Sequence, residues 1–250
     1  IVGSLPLLIG GFIQGILNVA SGVEMSSFEG VEDMPAFFNS NNTALFLLLL
    51  VYASGLVGVF FAAKFVHGQS ILSLTTSRNK IDYTRILYSF CLITSVILVT
   101  FFIDYYLDPN SYELNFNLGK FIVLFIICLT ILPLQTSFEE YLCRGYLLQG
   151  IGIVTKSRAL AFIIPSILFG LLHFANPEID KLGNIFIIYY LTIGFALGII
   201  TLMDEGLELA LGWHFANNFS AALLVSADWS VLQTDSIFRY TAEPQISSEI

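Results

Sequence analysis

Residues 118–149 read LGKFIVLFIICLTILPLQTSFEEYLCRGYLLQ. The first part, Leu118–Thr136, supplies the roughly 20 apolar residues that a helix needs to cross a hydrocarbon core. The helical pattern then runs on through Glu139, Glu140 and Arg144 to about Gln149, where Gly150 and Gly152 are expected to break it. An ionisable side chain at membrane depth costs roughly 2.5–3.5 kcal/mol. A membrane helix that carries two acids and a guanidinium is expected to use them.

The rest of the chain agrees with a membrane setting. Its 250 residues are 56% hydrophobic and only 12% charged, against about 25% charged in a soluble domain. Mean hydropathy is +0.81. Six further apolar stretches accompany the first: 1–20, Thr43–Val66, Arg85–Asp104, Ala159–Phe174, Ile185–Met203 and Leu207–Ser226. The expected fold is an all-α, polytopic transmembrane helical bundle with seven helices in view. The chain starts at Ile1 and stops at Ser-Ser-Glu-Ile, which reads as trimmed and leaves room for an eighth helix at either end. Residues 1–226 read as a single transmembrane domain with its motif-bearing core at 118–226. Residues 227–250 read as a polar tail, or as the loop before that eighth helix.

Net charge is −9, but in a membrane protein the position of the charges says more than their sum. Lys64, Arg78, Lys80 and Arg85 flank the connection between the second and third stretches. Arg144, Lys156 and Arg158 flank the turn between the fourth and fifth. Opposite them lie Asp104, Asp108 and Glu113, then Glu178 and Asp180. Basic loops stay cytoplasmic, so the amino end and the turn at Lys156 are expected on the cytoplasmic side, in a cell inner membrane. The loop with Asp204, Glu205 and Glu208 fits this scheme least well. No Gly-rich phosphate loop and no basic-aromatic patch is present, so nucleic acid is not an expected partner. Cys91, Cys128 and Cys143 show no CxxC spacing and read as apolar packing residues rather than a disulfide or thiolate site.

Three polar clusters remain inside apolar stretches. Residues four apart share a helix face, so Arg144 can hold Glu140 in the favourable acid-first order. Glu139 then points about 100° away, free for other work. Phe169 and His173 repeat the spacing, so the ring can limit the imidazole's rotamers. His214 and Asn218 repeat it again. Histidine offers a proton acceptor, a donor or a metal ligand, and an amide can donate to a developing oxyanion. Counted to a turn near Gly150, Glu139 and His173 differ in depth by roughly 9 Å, which Pro165 could alter by kinking its helix. A lone intramembrane His or Asn is usually glue between helices, worth about 0.6 kcal/mol. Glue has no reason to assemble an acid, two histidines and an amide.

Glu139-Glu140-x-x-x-Arg144, Phe169-x-x-x-His173 and His214-x-x-x-Asn218 resemble, in order, the three motifs of the CPBP (CAAX-protease and bacteriocin-processing) family of intramembrane endopeptidases. The resemblance implies a helical membrane hydrolase with a polar cavity opening toward the cytoplasm. It casts Glu139 as general base, His173 as its partner, and His214 and Asn218 as oxyanion stabilisers. Glu140, Arg144 and Phe169 become orienting residues. No cofactor is favoured. A zinc-dependent version would use Glu139, His173 and His214, but the chain has no HExxH, and no carboxylate is evident behind either histidine. Expected partners are the lipid bilayer and a peptide or protein substrate, such as a prenylated protein or a leader peptide. A non-proteolytic immunity or scaffold protein on the same fold is the alternative. A proton-relay transporter ranks last, because the other helices carry almost no polar residues.

Overall fold

The structure is a computed structural model, and it describes residues 33–243. The expected helix over 1–20 lies outside the described residues. The six other apolar stretches each form a helix: α1 Asn41–Val66, α2 Tyr83–Leu107, α3 Leu118–Thr155, α4 Arg158–Leu172, α5 Ile185–Asp204 and α6 Glu208–Leu224. Four of them (α1, α2, α3 and α5) are long and apolar enough to cross a membrane. Each begins or turns where the local chemistry dictates. Ser40, Asp82, Asn117 and Ser157 cap α1, α2, α3 and α4 by accepting from the amides of Thr43, Thr84, Lys120 and Leu160.

The bundle wears its apolar surface outward. Leu87, Leu92, Val96, Val99 and Phe102 of α2 are all exposed, and only 6% of that helix's apolar window is buried. Such a surface would be an aggregation hazard in water and is at home in lipid. The chain is an integral membrane protein.

Inside, two apolar clusters stack along the bundle axis. Leu45, Leu49, Leu124, Leu132 and Ala222 belong to one. Leu56, Leu74, Tyr141, Leu207 and Leu211 belong to the other. On α1, α3 and α6 the residues between the clusters, including Glu139, Glu140 and His214, form a polar layer. Small residues bring the helices close enough to build it. A Cβ added at Gly194 of α5 would lie 2.5 Å from the Ser166 carbonyl of α4, and one at Gly212 of α6 would lie 2.2 Å from the Ile86 carbonyl of α2. Membrane helices pack through such contacts.

Two expectations need correction. Gly150 and Gly152 do not end α3, which continues to Thr155 and turns at Lys156 (φ 55°) and Ser157. With lipid or neighbouring helices around it, a glycine's cost of about 1 kcal/mol does not stop a helix. Glu139 and His173 therefore both lie 17 residues from Lys156 (156 − 139 and 173 − 156), and the expected depth difference of about 9 Å disappears. The stretch after Ser226 is also no free tail within the described residues. Strand β3 (Phe238–Tyr240) pairs with β1 (Tyr112–Leu114) and with β2 (Val225–Ser226). Thr234 Oγ1 donates to the Ala222 carbonyl at 2.7 Å, and Thr234 and Ser236 are buried.

The opposite end carries an ionic clasp. Arg78 reaches Asp204 (3.1 Å) and Glu208 (3.3 Å), Arg85 also pairs with Asp204, and Glu208 is fully buried. The acidic loop that fitted the orientation scheme least well therefore sits on the same side as the basic connection between α1 and α2, two of its acids paired with Arg78 and Arg85.

Candidate active site

The site is built on a change of helical pitch. Within α3, the α-helical Leu132–Glu140 passes into a π-helical stretch, Tyr141–Leu147. Such π-helical turns inside α-helices recur at functional sites. The two glutamates sit at the junction. As expected, Arg144 Nη1 donates to Glu140 Oε1 at 2.8 Å, with both side chains buried. Arg144 Nη2 donates to the Gly194 carbonyl at 2.9 Å, and its guanidinium lies 4.2 Å from the centre of the Phe169 ring. A buried acid of this kind needs its partner, and Arg144 is locked from three sides.

Glu140 also accepts from His214. Nδ1 of His214 lies 2.7 Å from Glu140 Oε1, so the proton sits on Nδ1 and Nε2 faces away. Nδ1 of His173 lies 2.7 Å from the Phe169 carbonyl. A carbonyl only accepts, which fixes the same tautomer there. Helix α4 has 15 residues and spans about 22 Å, less than the hydrocarbon thickness. Its end therefore delivers His173 into the bundle rather than to the far surface. Phe169 contacts both imidazoles, at 4.7 Å and 5.7 Å between ring centres, and Tyr190 stacks on His173 at 4.4 Å.

Both Nε2 atoms face Glu139. Oε2 of Glu139 lies 3.6 Å from Nε2 of His214 and 3.9 Å from Nε2 of His173, and it has no hydrogen-bond partner among the described residues. The other oxygen, Oε1, accepts from Gln135 Nε2. Gln135 in turn accepts from Asn218 Nδ2 at 3.1 Å. The structure thus brings Glu139, Glu140, Arg144, Phe169, His173, His214 and Asn218 together in one layer.

Several details differ from the expectation. Asn218, expected as an oxyanion donor, gives one N–H to Gln135, which in turn holds Glu139, and keeps its second N–H. His214, with Nδ1–H committed to Glu140, can donate from Nε2 only as the imidazolium. A carboxylate does stand behind one histidine: Glu140, 74 residues away in sequence, which no local pattern could reveal. Gln135 was missed, although it is a polar residue four positions before Glu139 and so on its face. His67 is at a helix end and exposed, as expected, with its Nε2 2.7 Å from Tyr146 Oη.

Zinc is the metal that the resemblance permits. Tetrahedral ligands at 2.0–2.1 Å from zinc stand roughly 3.4 Å apart, and both separations from Glu139 are wider. Among the described residues no group of three or more His, Cys, Asp or Glu is arranged to hold a metal ion. As placed, Glu139, His173 and His214 do not fit the ion.

A cavity of about 470 Å³ opens onto this layer, lined by Gln135, Glu139, His173 and Asn218. It extends away from Lys156, to Asn176 and Glu178 after α4 and to Ser230–Leu232 after α6. The expected cytoplasmic turn at Lys156 and the expected cytoplasmic cavity thus lie at opposite ends of the bundle.

Comparison with known proteins gives two findings. Residues 119–220 match the family described as type II CAAX prenyl endopeptidase Rce1-like. This stretch contains all three motifs, and the match supports the CAAX-protease (CPBP) resemblance. A protein of Bacillus subtilis (strain 168), described as "Uncharacterized protein YyaK", is 34% identical over 189 residues, which is 75% of this chain and 63% of that protein. The chain therefore spans less than two thirds of this relative's length. No solved structure matches.

Proposed function

From a chain whose residues 119–220 match the type II CAAX prenyl endopeptidase Rce1-like family, we infer an intramembrane endopeptidase in which Glu139 activates water. The observation that carries this reading is the state of Glu139. Its Oε2 is buried, has no partner, lines the cavity and faces two imidazole nitrogens. Glu140 beside it, tied to Arg144 and His214, does not line that cavity.

In the proposed reaction a water bound between Glu139 and His173 gives a proton to Glu139 Oε2. Its oxygen attacks the carbonyl carbon of the scissile peptide bond. The tetrahedral oxyanion is stabilised by His214 in its imidazolium form and by the second N–H of Asn218 Nδ2. The C–N bond then breaks as Glu139 returns the proton to the leaving nitrogen. A carboxylic acid and an amine are released, the acid's proton passing to the amine or to water, and the Glu139 carboxylate is restored. Gln135 holds Glu139 in the orientation that leaves Oε2 free. The reading needs no metal in any step.

For orientation we take the side of the arginine clasp and Lys156 as cytoplasmic, because basic loops set topology. The loop-built end of the cavity then faces the opposite side. Substrates fitting the family are prenylated proteins, leader peptides and membrane regulators.

The test is cleavage. Purified chain in lipid nanodiscs should hydrolyse peptides from candidate substrates, and Glu139→Gln should lower the rate by at least about 10³-fold, the upper range for a general base. Function that survives Glu139→Gln would favour a scaffold on the same fold instead.

A further inference from the structure

Glu178 is a second buried acid on the cavity, and the reaction above does not use it. It lies on the short helix Pro177–Leu182, and only 8% of the residue is exposed. Oε1 accepts from the Val231 amide at 2.8 Å, which ties the segment after α6 across the cavity's end. Its second oxygen, Oε2, is buried and has no partner among the described residues. A latch to Val231 explains one oxygen and leaves the other. Burial holds the carboxyl above the usual carboxylate range, although His173 and the Val231 amide pull it back.

The surroundings supply no permanent cation. No lysine or arginine lines the cavity among the described residues. The nearest one in sequence, Lys181, is drawn off to Glu243 at 2.6 Å. Leu48, Phe186 and Leu232, which also line the cavity, offer apolar wall on which a long aliphatic stem would pack. An anionic group such as a peptide's terminal carboxylate would meet two acids and no lysine or arginine.

We propose that Glu178 is a specificity residue that binds a lysine or arginine side chain of the peptide held across Glu139. This deepens the peptidase reading and rests on it for the identity of the bound molecule as a peptide. The cationic head would take the open Oε2, and the methylenes would lie along the apolar wall. Glu178 touches substrate without touching the scissile bond.

Binding separates this inference from the peptidase reading. Short dye-labelled apolar peptides carrying one lysine, scanned through the sequence, are compared with glutamine counterparts on the Glu139→Gln chain in nanodiscs. At one position lysine should bind about tenfold more tightly, and adding Glu178→Gln should reduce the preference to within about twofold. That substitution keeps the oxygen that accepts from Val231, and its unfolding temperature is measured alongside. Equal affinity for the two series, including none for either, overturns the proposal. So does a preference that survives Glu178→Gln. The same peptides are then offered to the unaltered chain. Failure to cleave peptides that bind by their lysine would sink the peptidase reading and leave the cation site standing. Cleavage with no lysine preference would do the reverse.

Discussion

The two ends of the polar architecture handle buried acids in opposite ways. At the clasp, the buried Glu208 and the half-buried Asp204 each have an arginine, from Arg78 or from Arg78 and Arg85 together. In the middle layer, Glu140 follows the same rule with Arg144, but its neighbour Glu139 has none. One region neutralises its charge internally, and the other keeps a carboxylate facing a cavity with two histidines as company. The contrast separates fastening from chemistry: an acid paired with an arginine holds the fold, whereas an acid that faces a cavity without one can act on something that enters.

Substitutions can break that contrast from either side. The largest expected effect is at Glu139. Glutamine there should remove at least about 10³-fold of the cleavage rate, while leaving the unfolding temperature of the purified chain within about a degree. A large fall in stability instead would show that Glu139 is a fastening too. Arg78→Ala should do the converse. It strands Glu208 and should cost about 3–5 kcal/mol in stability, read by denaturant unfolding in detergent, with cleavage per folded molecule unchanged. Gln135→Ala should fall between the two, lowering cleavage about 10–100-fold, as loss of a residue that orients a reactive group does. The binding of substrate peptide should change little, so the loss should appear in kcat rather than KM. The smallest effect belongs to metal removal: dialysis against a strong chelator should leave cleavage unchanged, measured beside metal analysis of the same sample. Loss of activity that only zinc restores would mean that the three side chains close on an ion.

Much of this was legible in the sequence because helices convert spacing into faces. The i,i+4 pairs Glu140–Arg144, Phe169–His173 and His214–Asn218 all lie in the same layer, and the span boundaries follow from apolar length. Three things were not legible, each for a physical reason. The length of α3 beyond Gly150 depends on tertiary surroundings that override glycine's local preference, and with it the depth match of Glu139 and His173. The bond between Glu140 and His214 joins α3 to α6 across 74 residues, so no periodicity signals it. The return of residues 234–240 onto the bundle rests on pairing with Val225–Ser226 and Tyr112–Leu114, a non-local register that polar composition hides.

The central claim is that Glu139 activates water rather than attacking the peptide itself. The most direct measurement is a single turnover in ¹⁸O water, with enzyme in excess over a peptide captured by the Glu139→Gln chain. The account predicts that the newly formed carboxylate carries one ¹⁸O after that first turnover and that Glu139 carries none. An unlabelled first product, with ¹⁸O recovered in the Glu139 side chain, would contradict it.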